Sequence, residues 1–304
     1  MKTALHILVI GCSGQLAQAL AMLTRGQRDI ILTCRGRPDT DITDRGSLEF
    51  AIDDVAPHIV VNAAAWTDVD GAEKHREEAL AVNATGARYL AELTAHFHLP
   101  LIHVSTDMVF SGEGSTSFQE DDETDPVNWY GETKRRGELA VAGFNPKHLI
   151  LRTAWIYSPW GKNFVASILR LAADRRHINV VSDQIGQPTD ARDVARTILS
   201  LALEMNRAER SDPRWGIYHV VADGHVSRAG QARTIFETSR ALGGPFAEVN
   251  EVESWAYRTP ARRPLHAVMP TTKLFETFGL RMPHWKAPMQ ACVKNILERS
   301  GLIR

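Results

Sequence analysis

Five short apolar runs constrain this chain more than any other feature: Ile7–Ile10, Ile30–Thr33, Ile59–Asn62, Leu101–Ser105 and Leu149–Thr153. Each is rich in Val, Ile and Leu and lacks the strict polar alternation of a sheet that faces water. Segments with helical spacing lie between them, among them Ala17–Leu23, Arg45–Val55, Glu77–His96 and Tyr130–Ala142. Strands of this kind, joined by crossover helices, imply a parallel sheet buried on both faces. Right-handed crossovers then give an α/β fold with a doubly wound, Rossmann-type sheet and a ligand site at the carboxyl ends of its strands.

The first run leads into Gly11-Cys12-Ser13-Gly14-Gln15-Leu16-Ala17 and then an apolar helix. Glycines let the backbone turn tightly and approach a pyrophosphate, and the free N–H groups of a helix start bind that anion. The spacing is G-x-x-G-x-x-A, so the turn carries weight through its place after the first strand rather than by itself. An acid at the end of the second strand would bind a ribose 2′-hydroxyl; the chain has Cys34-Arg35-Gly36-Arg37 there instead. Arginines at that point suit a 2′-phosphate, which favours NADPH, with NADH as the alternative.

Tyr130 and Lys134 stand one helical turn apart, on one face. A phenol at that place supplies a proton to an oxygen that gains negative charge, and a neighbouring ammonium is expected to bring its pKa down toward neutrality. Ser105-Thr106 ends the fourth run and offers a hydroxyl at the same end of the sheet. The ordered series of glycine turn, strand-end hydroxyl and Tyr/Lys turn points to hydride reduction of a carbonyl, with Thr106, Tyr130 and Lys134 as the catalytic residues.

Of the 304 residues, 35 are Lys or Arg and 36 are Asp or Glu, so the net charge gives no general pull toward nucleic acid or acidic lipid. Cys12, Cys34 and Cys292 are too few and too scattered for a disulfide framework, and no His/Cys spacing of the zinc type occurs. Lys2 is followed almost at once by the first apolar run, with no small-residue cleavage region. No run reaches the roughly 18 to 20 residues of a membrane span. A cytoplasmic protein is expected.

After about Trp155 the rhythm loosens, with Pro159, Pro188, Pro213, Pro245, Pro260, Pro264 and Pro270 as punctuation. The expected division is a dinucleotide-binding domain over residues 1–154 and a smaller α/β substrate-binding lobe over 155–304. The boundary is read as discontinuous, because Val194–Met205 (a helix) and Gly216–Ala222 (a strand), within 190–222, suit a return to the first domain.

Further blocks narrow the chemistry: Asn62-Ala63-Ala64-Ala65-Trp66-Thr67-Asp68-Val69-Asp70, Val82-Asn83, Ser105-Thr106-Asp107-Met108-Val109-Phe110, Tyr130–Lys134 with Gly137-Glu138, and Arg152-Thr153-Ala154-Trp155-Ile156-Tyr157. Gly161-Lys162-Asn163-Phe164 and Asp183-Gln184-Ile185-Gly186-Gln187-Pro188-Thr189 follow in order. Together they resemble the dTDP-4-dehydrorhamnose reductase family of extended short-chain dehydrogenase/reductases, over almost the whole chain. The resemblance implies that Gly11, Gly14, Gln15, Leu16, Ala63, Ala64 and Ala65 line the cofactor, with Asp41 and Ile42 near the adenine and Asn83 near the nicotinamide. Arg35 joins them as the 2′-phosphate candidate, and Tyr130 and Lys134 also touch the cofactor. Thr106, Asp107 and Trp155 are implied to meet the sugar, and Arg262 and Arg263 to clamp a nucleoside diphosphate. The implied reaction is reduction of the C4 keto group of dTDP-4-dehydro-6-deoxy-L-mannose.

The chain departs from the family pattern at Trp66, Met108, Ala17 and the stretch Leu265–Pro270, where Ala267 falls in a segment that usually carries a serine. Ala19 and Arg192 stand where some members carry metal-binding glutamates, so no metal is expected and the chain is read as a monomer or homodimer. Met108 also argues against a dehydratase, whose acid–base pair follows the strand-end threonine. A reductase of another nucleotide-linked keto-deoxysugar, or a non-catalytic dinucleotide-binding regulatory subunit such as the related β-subunit of methionine adenosyltransferase, are the alternatives.

Overall fold

In the computed structural model, residues 4–301 are described; Lys2 and the outermost residues of both expected domains lie outside them. Five strands follow the apolar runs: β1 (Leu5–Ile10), β2 (Ile30–Arg35), β3 (Ile59–Asn62), β4 (Leu101–Thr106) and β5 (His148–Thr153). A further strand, Gly216–His219, pairs with β5 and completes the sheet. The spatial order is Gly216–His219, β5, β4, β3, β1, β2, and every pairing is parallel.

β1 shows why both faces must be covered. Ile7 and Val9 point into one apolar cluster, with Leu16 and Leu20 of helix α1 (Gln15–Thr24) and Val194 and Ile198 of the helix Ala191–Met205. Leu8 and Ile10 point into the other, with Leu48 and Ile52 of helix Arg45–Val55 and Leu90 and Leu93 of helix Gly86–His96. Alternate residues of one strand therefore feed two cores. Each such side chain contributes about 1.5–3 kcal/mol by leaving water. β1 has β2 on one side and β3 on the other, and at that switch point a crevice opens above the strand ends.

The expected helix Glu77–His96 is interrupted. Residues Arg76–Leu80 are α-helical, Ala81–Thr85 form a π-helical turn, and Gly86–His96 resume the α-helix. The turn carries Asn83, whose side chain is wholly engaged: Oδ1 accepts from Trp66 N at 2.8 Å, and Nδ2 donates to Trp66 O and to Thr133 Oγ1 at 3.0 Å. Helical periodicity does not reveal such a turn, because the apolar face continues through it.

A third apolar cluster gathers Tyr157, Ile168, Phe236, Trp285, Met289 and Leu297. It is built from helices Phe164–Asp174, Arg228–Ala241 and Lys286–Ser300 beside the parallel strand pair His177–Val181 and Glu248–Val252. Helix Ala191–Met205 and strand Gly216–His219 lie with the large sheet instead. Among the described residues, no helix is long and apolar enough to cross a membrane.

Candidate active site

A cleft of about 500 Å³ lies over the carboxyl ends of β1, β3, β4 and β5. Gly14, Gln15 and Leu16 line one side, Ala63, Ala64 and Ala65 the floor, and Thr106, Asp107, Tyr130, Lys134, Trp155 and Arg228 the other side.

The glycine turn shapes the first side. Gly11 sits at φ +103°, and a Cβ there would lie 2.7 Å from the Ala64 amide nitrogen. Gly14 caps α1, whose first turn holds no acidic residue, so its N–H groups face the cleft without a competing anion. Gly11→Ala should therefore lower stability by about 1–3 kcal/mol through backbone strain. Gly14→Ala, whose Cβ would meet nothing within 4 Å, should not. Urea unfolding of the two variants side by side checks the contrast. Gln15 lines the cleft, but its side chain is tied elsewhere: Oε1 accepts from Ser158 Oγ at 2.7 Å and from Asn163 Nδ2 at 3.0 Å.

The second side is built by β4 and the helix Trp129–Phe144. Asn128 starts that helix by accepting from Gly131 N at 2.8 Å. Gly131 lets the helix close on the turn after β4, since a Cβ there would lie 2.0 Å from the Met108 carbonyl oxygen. This brings Tyr130 and Lys134 against the strand end that carries Thr106. Thr106 Oγ1 donates to Asp107 Oδ1 at 2.9 Å and accepts from Met108 N at 3.2 Å.

The electrostatics differ from the sequence expectation. Lys134 does not bring the Tyr130 phenol down; burial, and then the Asp107 carboxylate, push it up to about 12, against a smaller opposite pull from Thr106. The reason is where the amine points: Lys134 Nζ donates to the Val104 carbonyl at 2.7 Å. Burial lowers Lys134 itself to about 8, with Glu138 opposing. Burial also raises Asp107 to about 6, against the Thr106 hydrogen bond and the Arg228 charge.

Other expected site residues are not among those that line the cleft. Arg35 ends β2 and pairs with Asp54 at 2.6 Å, and Arg37 is exposed beyond it. Asp41 Oδ1 accepts from Thr43 N and Thr43 Oγ1, and Ile42 is buried beside Gly86. Arg262 is exposed, with its carbonyl accepting from Asn128 Nδ2. Arg263 turns its guanidinium onto Asp70, Nη1 to Oδ1 at 2.6 Å and Nη2 to Oδ2 at 2.7 Å. That fork is already satisfied by a carboxylate.

Sequence reasoning missed Arg228. It begins the helix Arg228–Ala241 after the Ser227 cap, and its guanidinium carbon lies 3.4 Å from the Trp155 ring centroid, inside the cleft. Burial lowers its pKa to about 9, with the Asp107 charge opposing. An arginine in a first helical turn looks like a solvated surface cation, and only the fold turns it inward. Trp155 holds its place at φ +44°, with its indole against Gly186. Ala19 is fully buried, and Arg192 is engaged with Asp190 at 2.5 Å. Among the described residues, no group of three or more His, Cys, Asp or Glu side chains is placed to hold a metal ion.

Comparison with known proteins agrees with this architecture. A dTDP-4-dehydrorhamnose reductase of Sinorhizobium fredii is 40% identical over 293 residues, 96% of this chain and 98% of that protein. The protein of the same name from Escherichia coli K12 is 34% identical, over 98% of this chain and all of its own. The crystal structure of dTDP-4-dehydrorhamnose reductase from Bacillus anthracis in complex with NADP has a TM-score of 0.87 at 29% identity, covering 98% of this chain and 100% of that one. The profile of the RmlD substrate binding domain matches residues 5–298, and the chain belongs to that family.

Proposed function

We propose that this protein reduces the C4 keto group of dTDP-4-dehydro-6-deoxy-L-mannose to give dTDP-L-rhamnose, with NADPH as cofactor. The observation that carries the reading is the meeting of Thr106, Tyr130 and Lys134 in the cleft that the glycine turn also lines. The residues fit a dinucleotide: a Cβ at Gly11 would fill the space against Ala64, and the acid-free start of α1 suits a pyrophosphate. Arg37, exposed past β2, favours a 2′-phosphate, whereas Arg35 is paired with Asp54. When bound, the reduced nicotinamide supplies a hydride.

The chain's own residues hold the carbonyl and deliver the proton. The phenol keeps its proton at neutral pH, because burial holds its pKa at about 12. Once the keto oxygen becomes an alkoxide, a much stronger base, the proton moves from Tyr130 Oη to it. Thr106 orients the same oxygen, and Lys134, its amine held on the Val104 carbonyl, lines the cleft where it would hold the cofactor ribose. Trp155 lines the cleft with the Arg228 guanidinium stacked on its ring, so the two would meet the sugar together.

Arg228 lines the cleft with Lys134 and Lys162 and is the arginine placed to meet the substrate, since Arg263 is engaged with Asp70. Arg228→Ala should raise KM about 10- to 100-fold with little change in kcat, as expected for a lost charge-assisted hydrogen bond. Equal losses in kcat and kcat/KM would move Arg228 to the chemical step. The function itself is tested by mixing the full chain with NADPH and the 4-keto nucleotide sugar. Substrate-dependent loss of nicotinamide absorbance is expected. Tight NADPH binding without turnover would favour a regulatory dinucleotide-binding subunit, and turnover only with a different keto-deoxysugar would move the substrate.

A further inference from the structure

Asn62 and His103 lie opposite one another on β3 and β4, both almost wholly buried, and His103 reaches the lysine of the catalytic wall. The Ala64 N–H donates to Asn62 Oδ1 at 3.2 Å, which leaves the amide nitrogen facing His103 Nδ1 at 3.0 Å. An amide nitrogen only donates, so Nδ1 accepts, and the proton of a neutral ring sits on Nε2. Burial keeps the ring neutral, holding its pKa well below the usual histidine value, and the Lys134 charge adds to this. Nε2 lies 3.5 Å from Lys134 Nζ. An ammonium there has only donors and meets Nε2–H donor to donor, whereas a neutral amine has a lone pair to accept it. The reverse amide orientation would set the Asn62 NH₂ against the Ala64 N–H, so the backbone picks the direction of the whole chain of hydrogen bonds.

We propose that Asn62 and His103 form a buried hydrogen-bond relay, anchored on the Ala64 amide, that biases Lys134 toward its neutral amine. Both are positioning residues, acting through the lysine. The other groups near it come from each packed element. On its own helix, Tyr130 faces the cleft, and Glu138 favours the ammonium while its oxygens also serve Ser105 and Arg152. Arg152 on β5 is paired with Glu138, and His148 at the start of β5 is engaged with the Asn145 carbonyl. Asp107 after β4 accepts from Thr106. The relay therefore works with burial and against Glu138. It places the amine where it both holds and releases a proton near neutral pH, and it ties that balance to Ala64 in the cleft floor.

The consequence for turnover rests on the reductase reading; the relay itself does not, so the test uses the free chain. Isotope-labelled protein is titrated by NMR, reading the His103 ring nitrogens and the Lys134 side-chain carbon. The expected result is a proton on Nε2 alone and a Lys134 midpoint near 8. His103→Leu removes the donor and should raise that midpoint by about one pH unit. Asn62→Ala, which adds no charge, removes the donor that holds Nδ1 as an acceptor, so the ring proton can move to Nδ1 and Nε2 can accept from the ammonium, which should also raise the midpoint. A purely structural role would lower the melting temperature of both variants and leave the midpoint in place. A proton on Nδ1 in the unaltered chain, or folded variants with an unmoved midpoint, would overturn the relay. Should His103→Leu not fold, the tautomer in the unaltered chain and Asn62→Ala decide.

Discussion

On the proposed mechanism, Tyr130→Phe should lower turnover by about 10²- to 10⁴-fold, the range expected when a positioned general acid is removed. The phenyl ring keeps the packing on the helix Trp129–Phe144 and removes one exchangeable proton. With the phenol near 12, that proton is present at neutral pH, and Tyr130 lines the cleft. NADPH affinity should stay within about twofold, since the loss lies in the transition state rather than in binding. Single-turnover rates and cofactor titration on one preparation separate the two quantities. Lys134→Ala should damage both. Wild-type turnover in Tyr130→Phe would remove the phenol from the chemistry.

The second large effect is on stability. Arg152 and Glu138 are both buried, with Arg152 Nη2 2.8 Å from Glu138 Oε2 and Nε within reach of both carboxylate oxygens. Arg152 Nη1 also donates to the Glu120 carbonyl at 3.1 Å, and Ser105 donates to Glu138 beneath the strand end that carries Thr106. Glu138→Ala leaves a guanidinium buried without its counter-charge and should cost about 3–5 kcal/mol. That is a large part of the roughly 5–15 kcal/mol that keeps a domain folded. The paired change Glu138→Leu with Arg152→Met removes both charges and should cost clearly less than the single change. Urea unfolding of the single and double variants measures the difference; a larger loss in the double variant would contradict the account.

The sheet was legible because its signal is periodic and local. Arg45–Val55 and Ile59–Asn62 have the bounds read from the sequence, and β2 runs two residues further, through Cys34 and Arg35. The π-helical turn at Ala81–Thr85 was not legible: Asn83 reaches Thr133, 50 positions away, and no local pattern records that. The same division holds at the site. Thr106, Tyr130 and Lys134 stood out because their order along the chain matches strand end and helix face. The pairing of Arg263 with Asp70, 193 positions apart, and the inward turn of Arg228 depend on tertiary packing. The rise of the Tyr130 pKa has the same origin, since burial and the Asp107 charge cause it and a Tyr/Lys spacing records neither.

Deuterium transfer tests the central claim most directly. NADPH carrying deuterium at the transferred position is incubated with the full chain and dTDP-4-dehydro-6-deoxy-L-mannose, and the sugar product is read by NMR and mass spectrometry. The account predicts dTDP-L-rhamnose with one deuterium, on C4, and no product when Tyr130 is Phe on the same timescale. Unlabelled product, deuterium at another carbon, or unchanged keto sugar beside tightly bound NADPH would contradict it.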